Sequence, residues 1–246
     1  MPSNPNVTAV SKNNHKTYSF YSIENNLSNF EHFKTFPFCP VYITEIEHIA
    51  GNYPIVFLKN TNQDFYIASL FSLLNDINPF INEKNHWTGT YIPAYLRIFP
   101  FLLGYSKDKK DPYLCFSTSS NFIHQKLENN LYPFFDKNEN LSKELERIFK
   151  LLLVVEKERV FLKKSIKSLS ENKLLKKWDV DIKFKEGNKK IEGLYKIDPE
   201  KLTSLSPEVL YELHKNGALR IAYAQLTSVH KLQYLGNLHL KNGMIE

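Results

Sequence analysis

Glycine and cysteine are scarce in this sequence. Its 246 residues include eight glycines and two cysteines. So few glycines argue against the glycine-rich calcium-binding repeats that often accompany secretion without a cleaved leader. The two cysteines, Cys39 and Cys115, are compatible with one disulfide but not with a disulfide framework, and two reduced thiols fit the count better.

Long apolar runs are also missing. Residues 1–14 are rich in Asn, Ser and Pro and contain no apolar run, so we expect no cleaved secretory signal. The apolar run 151–155 ends at Glu156, far short of the length that crosses a bilayer. The sequence therefore predicts a cytoplasmic protein.

The common catalytic and metal-binding motifs are absent as well. The sequence contains no P-loop, no dinucleotide-binding glycine motif, no H-E-x-x-H and no G-x-S-x-G. The eight histidines are dispersed, and Cys115 lies in a strand pattern among apolar neighbours, which disfavours a nucleophile. We predict no catalytic residue, no metal site and no cofactor.

What is present predicts an α+β fold. Hydrophobic residues make up 42% of the chain, enough to bury a sizeable core. Residues 1–35 are polar and predict a mobile N-terminal arm. The first half then predicts an antiparallel sheet, because β-rich runs at 54–59 and 64–70, and again at 101–105 and 113–117, flank short polar connectors. Residues 48–53 predict a turn around Gly51.

The second half predicts helices around one hairpin. After a composition shift at 136–140, apolar residues spaced alternately four and three apart from Leu141 to Leu169 predict a long amphipathic helix that lies over the sheet, with a coiled-coil dimer as the alternative. Alternation over 178–184 and a return at 191–197 predict a β-hairpin. Asp198-Pro199 and Ser206-Pro207 predict two helix starts, a third helix follows Gly217, and the tail after Gly236 is expected to fray.

Residues 86–101 concentrate aromatic rings, prolines and one arginine in a short connection. Trp87-Thr88-Gly89 predicts a turn that presents the indole, with Gly89 supplying backbone freedom. Pro93 suits the first turn of a helix that can hardly exceed two turns before Pro100. The polar tips of Tyr91, Tyr95 and Arg97 on this apolar element fit a binding surface or an amphipathic packing layer.

The segment Trp87-Thr-Gly-Thr-Tyr-Ile-Pro-Ala-Tyr-Leu-Arg-Ile-Phe-Pro-Phe101 resembles the signature of the bacterial SapC family. Residues 53–57 resemble the first core strand of that family, and residues 213–219 and 222–226 resemble its C-terminal helices. The resemblance spans about residues 36–235 and implies one α+β domain over 36–240. The family takes its name from an operon for a bacterial surface array, and the resemblance carries over no catalytic residue.

The resemblance implies a non-catalytic accessory or interaction protein associated with the surface layer or its export, by a leaderless route if the protein leaves the cell. Our candidate contact surface for a surface-layer protein or peptide segment is Trp87, Tyr91, Tyr95 and Arg97. The alternative is a small-molecule- or peptide-modifying enzyme, or an accessory to one, with a pocket beside residues 86–101.

A basic region is a further candidate surface. Residues 143–190 carry 15 Lys and Arg against 8 Asp and Glu, while the whole chain has a net charge of +6. Such a face could contact an acidic polymer. A solvated helix face is the favoured interpretation, because acids are interleaved with the bases and no specific nucleic-acid motif accompanies them.

Overall fold

The computed structural model describes residues 6–23, 29–74, 77–106, 111–184 and 187–241. In chain order its strands are β1 (Val7–Ala9), β2 (Ser19–Phe20), β3 (Phe38–Pro40), β4 (Ile55–Lys59), β5 (Phe65–Leu70), β6 (Phe101–Tyr105), β7 (Pro112–Ser117), β8 (Ile123–His124), β9 (Tyr132–Pro133), β10 (Leu175–Lys177), β11 (Val180–Phe184), β12 (Gly187–Ile191) and β13 (Tyr195–Ile197). The helices are α1 (Lys12–His15), α2 (Ile46–Asn52), α3 (Ala94–Ile98), α4 (Lys143–Glu171), α5 (Pro199–Thr203), α6 (Pro207–Lys215), α7 (Ala218–Ser228) and α8 (Lys231–Lys241).

This mixture of helices and antiparallel sheets confirms the predicted α+β class. The chain forms two compact units. The first comprises Met1–Leu27 and Ala94–Lys157, and the second comprises Ser28–Pro93 and Glu158–Glu246. The prediction of one domain over 36–240 with a sub-boundary at 136–140 stays a prediction.

The first unit is built on aromatic packing. Its three-stranded antiparallel sheet has the order β1-β7-β6, and a second small sheet has the order β8-β2-β9. Side chains of these strands and of α4 form one apolar cluster, which contains Phe20, Ile98, Phe101, Leu114, Phe116, Phe134, Leu145, Ile148 and Leu152. The first part of α4 therefore packs on strand residues of this unit, as its apolar spacing predicts.

The polar segment 1–35 contributes to both units. Within its described part, β1 pairs with β7, and β2 pairs with β8 and β9. Phe20, Phe30 and Phe33 of this segment are fully buried. Large apolar rings are among the side chains most often found in protein cores. Its extent as a separate mobile arm stays a prediction.

The second unit is built on a five-stranded sheet with the order β10-β13-β4-β5-β3. The predicted hairpin of residues 54–70 is confirmed, with β4 and β5 antiparallel and Phe57 opposite Ile67. The sequence did not predict that β10 and β13, from the second half of the chain, would join this sheet. The outer strands, β3 and β10, have three residues each.

Polar side chains of α7 satisfy backbone groups of this sheet. The amide of Gln225 accepts a hydrogen bond from the Ile197 N–H at 2.9 Å and donates one to the Ile55 carbonyl at 3.2 Å. The Ser228 hydroxyl accepts a hydrogen bond from the Ile55 N–H at 2.8 Å. These bonds connect α7 to β4 and β13 through buried polar groups.

Several local predictions are confirmed. The short helix in the 86–101 segment is α3, and α4 runs for 29 residues, with the Ser142 hydroxyl accepting a hydrogen bond from the Leu145 N–H at its start. Helices α5 and α6 each begin with proline, as predicted. Gly217, with φ of +76°, separates α6 from α7 in a left-handed conformation.

Two local predictions are wrong. Residues 48–53 do not form a turn, because Ile46, Ile49 and Ala50 are buried along one face of α2. The tail does not fray after Gly236, because α8 continues to Lys241 and buries Leu235 and His239. A hairpin forms at the predicted place, from β11 and β12, but its returning strand is residues 187–191 and not 191–197, and residues 195–197 form β13 in the five-stranded sheet. Residues 185 and 186 lie outside the described part.

No helix within the described ranges is long and apolar enough to cross a membrane.

Candidate functional site

The four predicted contact residues do not all lie in one unit. Trp87 and Tyr91 belong to the second unit, whereas Tyr95 and Arg97 lie on α3 in the first. Tyr95 and Arg97 are half-buried, while Ala94, Leu96 and Ile98 of the same helix are buried. Recognition by these four residues stays a prediction.

Trp87 is a core residue in the second unit. It is 4% exposed, and its ring packs near Phe30 at 5.3 Å and Phe80 at 5.8 Å between centroids. Its indole Nε1–H donates a hydrogen bond to the Tyr91 carbonyl at 3.2 Å. The turn therefore directs the indole into the core and does not present it on the surface.

Tyr53 holds the same carbonyl from another direction. Its hydroxyl donates a short hydrogen bond to the Tyr91 carbonyl, which therefore accepts from two buried aromatic side chains. Burial raises the pKa of the Tyr53 hydroxyl well above its usual range, so it stays protonated and remains a donor. The backbone at Tyr91 is thus fixed by the core.

The Tyr91 side chain is fixed by residues at the start of α2. Its hydroxyl donates a hydrogen bond to Oε2 of the buried Glu45 at 2.9 Å. Its half-buried ring stacks on His48, with centroids 5.0 Å apart and an interplanar angle of 11°. These contacts orient Tyr91 before any ligand binds, which limits the entropy lost on binding.

Gly89 is required for space and not for backbone freedom. The left-handed glycines in the described part are Gly193 and Gly217, and Gly89 is not among them. A Cβ at Gly89 would lie 2.7 Å from the Tyr53 hydroxyl oxygen and 2.8 Å from Trp87 Nε1. The predicted role of Gly89 is therefore corrected: it allows the chain to pass close to the two donors.

A cleft of ≈ 220 Å³ lies beside this turn, within the second unit. We call it the α8 cleft, because one wall is the start of α8. It is lined by Gly51, Asn52 and Tyr53, by Phe80, by Gly89 and Thr90, and by Lys231 and Tyr234. The Thr90 hydroxyl donates a short hydrogen bond to Asn52 Oδ1, and Asn52 Nδ2 donates to the His48 carbonyl at 2.8 Å. The polar wall is thereby held in one arrangement.

Sequence reasoning missed Asn52, Lys231 and Tyr234 as part of this site. Asn52 lies in a segment predicted to be a turn, and Lys231 and Tyr234 lie between the predicted third helix and the tail that was expected to fray after Gly236. Lys231 and Tyr234 are three residues apart, the spacing of neighbours on one helix face. A helical interpretation of the residues around Gly236 would have provided that signal.

A buried serine and histidine form the arrangement that most resembles catalytic chemistry. Ser72 Oγ is 3.3 Å from His239 Nε2, and both residues are buried. However, Nε2 accepts a hydrogen bond from the Leu73 N–H at 3.1 Å, and burial lowers the pKa of His239 to about 4. A general base works best with a pKa near the operating pH, so this pair fits a structural connection between α8 and the segment after β5.

Other chemistry is limited within the part of the chain that the structure describes. No group of three or more His, Cys, Asp or Glu side chains there could hold a metal ion. Both cysteines are buried as free thiols, and burial raises the pKa of each, which disfavours the reactive thiolate.

The basic region carries ion pairs that offset part of its charge. Lys190 pairs with Asp179 at 2.7 Å, and Arg147 pairs with Glu144 at 2.9 Å. The pair of Arg147 and Glu144, three residues apart on α4, is typical of a solvated helix face. Binding of an acidic polymer by residues 143–190 stays a prediction.

Three comparisons with known proteins complete the description. The family model described as SapC matches residues 11–235, which include the 86–101 segment and the start of α8. No curated protein matches the chain, and no solved structure matches it.

Proposed function

The chain belongs to the SapC family, and from this premise we propose that it is a non-catalytic accessory protein of the bacterial surface layer or of its export. It acts by binding a surface-layer protein or a peptide segment of one. The observation that supports this most is that the family match includes the segment 86–101, in which two buried side chains donate hydrogen bonds to the Tyr91 carbonyl. A preorganised element of this kind is well suited to recognition.

The hydrogen bonds of the 86–101 segment support the proposal. Two buried donors, from Tyr53 and Trp87, hold the Tyr91 carbonyl, and Glu45 and His48 orient the Tyr91 ring. Tyr91 is half-buried, so part of its ring remains accessible in this fixed orientation. In this proposal Trp87 supports Tyr91 from the core of the second unit, and Tyr95 and Arg97 supply contacts of their own on α3 of the first unit.

A binding measurement with purified surface-layer protein of the source bacterium tests the proposal. The double substitution Tyr95→Ala with Arg97→Ala should weaken binding by about tenfold or more, because tyrosine and arginine dominate interface energetics. The matched control is Tyr105→Ala, which removes a tyrosine that is 39% exposed elsewhere in the first unit. Unchanged affinity in a double variant with wild-type circular dichroism and melting temperature would remove this contact surface.

The second candidate is a small-molecule- or peptide-modifying enzyme. It is favoured by one observation, the α8 cleft beside Gly89 and Thr90, where the sequence predicts a pocket for such an enzyme. Elemental analysis of the purified full chain, with mass spectrometry of metabolites that copurify, tests it. A stoichiometric metal or a chemically altered ligand would favour the enzyme over the accessory protein. Cell fractionation separately tests the predicted cytoplasmic location.

A further inference from the structure

The α8 cleft is too small for most whole ligands. Pockets that enclose small molecules usually measure roughly 300–1,000 Å³, whereas this cleft has ≈ 220 Å³. Its volume suits one amino-acid residue of a longer chain better than a cofactor. A peptide that places one side chain or one chain end in the cleft, and continues outside it, fits this size.

The walls of the cleft offer apolar contact. Tyr53 and Phe80 are each 1% exposed and meet edge to face, with centroids 4.9 Å apart. Tyr234 extends this surface towards solvent, since it is 48% exposed with its ring centroid 6.4 Å from that of Phe80. An added Cβ at Gly51 would meet nothing within 4 Å, so the chain leaves this wall open. The accessible apolar surface is therefore that of Tyr234, and the buried ring of Phe80 supports it from the core.

The charge of the cleft is positive. Lys231 is half-buried and is the charged residue among those that line it, and none of the described lining residues is acidic. No carboxylate in the described ranges forms an ion pair with Lys231. An ammonium group held beside apolar walls attracts a carboxylate more strongly than one in open water, because the local dielectric constant is lower.

We propose that the α8 cleft binds one carboxylate-bearing residue of a peptide, with Lys231 contacting the carboxylate and the exposed ring of Tyr234 contacting an adjacent apolar side chain. Asn52 contributes the second N–H of its amide, since its first N–H and its oxygen are already oriented by His48 and Thr90. This inference rests on the proposed function as an interaction protein and names the chemistry of its partner.

The carboxylate has two possible sources, a chain terminus or an acidic side chain, which three synthetic peptides distinguish. They are N-acetyl-Ala-Phe with a free carboxylate, its C-terminal amide, and N-acetyl-Glu-Phe amide. Each is titrated into the ¹⁵N-labelled full chain, and binding is followed through the backbone amides of Gly51 and Gly89. We expect saturable shifts at these amides with one or both carboxylate peptides, and affinity weaker by about tenfold or more for the uncharged amide.

Substitutions at Lys231 identify the cation. Lys231→Met should weaken binding of the carboxylate peptide by about tenfold or more, while Lys231→Arg should largely restore it. The control is Lys215→Met, which removes an exposed lysine of α6 that does not line the cleft. Equal binding of all three peptides, full affinity of Lys231→Met, shifts confined to other residues, or no binding at millimolar peptide would each overturn the inference.

The test separates this inference from the proposed function. If Lys231→Met abolishes peptide binding but leaves capture of intact surface-layer protein unchanged, the cleft binds carboxylates while the partner docks elsewhere, and this inference about the partner is overturned. If neither peptide nor surface-layer protein binds the wild-type chain, both proposals fail together.

Discussion

The two units stabilise their cores in different ways. In the first, phenylalanine rings meet edge to face, with Phe20 5.0 Å from Phe101 and Phe116 5.4 Å from Phe134 between centroids. In the second, buried polar side chains of helices hold backbone groups, through Gln225, Ser228 and His239. Aromatic packing is common to both cores, since Trp87 lies against Phe30 and Phe80 in the second. What distinguishes the second is the set of buried helix side chains that hold backbone groups of other segments.

The difference determines how each unit should respond to substitution. Removing an apolar side chain costs transfer free energy and leaves a cavity. Removing one partner of a buried hydrogen bond leaves the other partner unsatisfied, which costs about 1–3 kcal/mol for each orphaned group. The following predictions separate these two mechanisms, in order of decreasing expected effect.

The largest effect is expected in the core of the first unit. Phe20→Ala should lower the free energy of unfolding by about 3–5 kcal/mol, because Phe20 is fully buried within the aromatic cluster. Urea denaturation measures this. Leu127→Ala, at a residue that is 61% exposed, should change it by less than about 0.5 kcal/mol. A loss under about 1 kcal/mol for Phe20→Ala would show that this core is not closely packed.

The next effect tests the hydrogen bonds of the second unit. Gln225→Leu keeps the approximate shape of the side chain but orphans the Ile197 N–H and the Ile55 carbonyl. We expect a loss of about 2–4 kcal/mol in the same denaturation measurement. Gln233→Leu, at an exposed position of α8, serves as the control and should be nearly neutral. If both variants behave alike, the contrast between the units is wrong.

Acid should weaken the second unit through His239. Burial lowers the pKa of His239 to about 4, from an ordinary value of 6.5. Between pH 4 and pH 6.5, His239 therefore binds a proton in the unfolded chain but not in the folded chain. The stabilisation is therefore complete above pH 6.5 and decreases as the pH falls towards 4. From pH 7.5 to 4.5 we expect His239 to account for a loss of about 2–3 kcal/mol.

Comparing pH profiles isolates this contribution from those of other groups. His239→Gln should flatten the dependence of unfolding free energy on pH, whereas His230→Gln, at an exposed residue, should leave it unchanged. Burial also lowers the pKa of His15 in the first unit, so His15→Gln should remove part of the remaining dependence. An unaltered profile for His239→Gln would show that this histidine does not sense acid.

The smallest effect concerns two glycines that line the α8 cleft. Gly89→Ala should destabilise by about 1–3 kcal/mol, because its Cβ would collide with Tyr53 and Trp87. Gly51→Ala should be neutral or stabilise by up to about 1 kcal/mol, since it lies in α2 with open space around the added carbon. Thermal unfolding of the pair measures both, and equal effects would refute the spatial explanation for Gly89.

Elements with local patterns were predictable from the sequence. The apolar spacing of α4, the alternating runs of β4 and β5, and the proline-led starts of α5 and α6 each depend on neighbours in the chain. The start of α2 was missed because Gly51 suggested a turn, although the buried positions Ile46, Ile49 and Ala50 have helical spacing.

Features that depend on distant segments could not be predicted in this way. The first unit combines residues that precede Ser28–Pro93 with residues that follow it. No pattern among neighbouring residues indicates that the chain leaves one unit and later returns to it. Gln225 looks like an ordinary helical glutamine until β4 and β13 lie beside it. Likewise, Trp87 and Tyr91 were identified as important, but Lys231, about 140 residues later, had no visible link to them.

The outer strands of the five-stranded sheet have a consequence for self-association. Strand β3 ends at Pro40, which has no N–H to offer another chain, and β10 carries Lys176 and Lys177. Short edge strands that contain proline or lysine disfavour the addition of a further strand from a neighbouring molecule. Aggregation through main-chain pairing is thus disfavoured along this sheet, and the second unit is left to meet other proteins through its side chains.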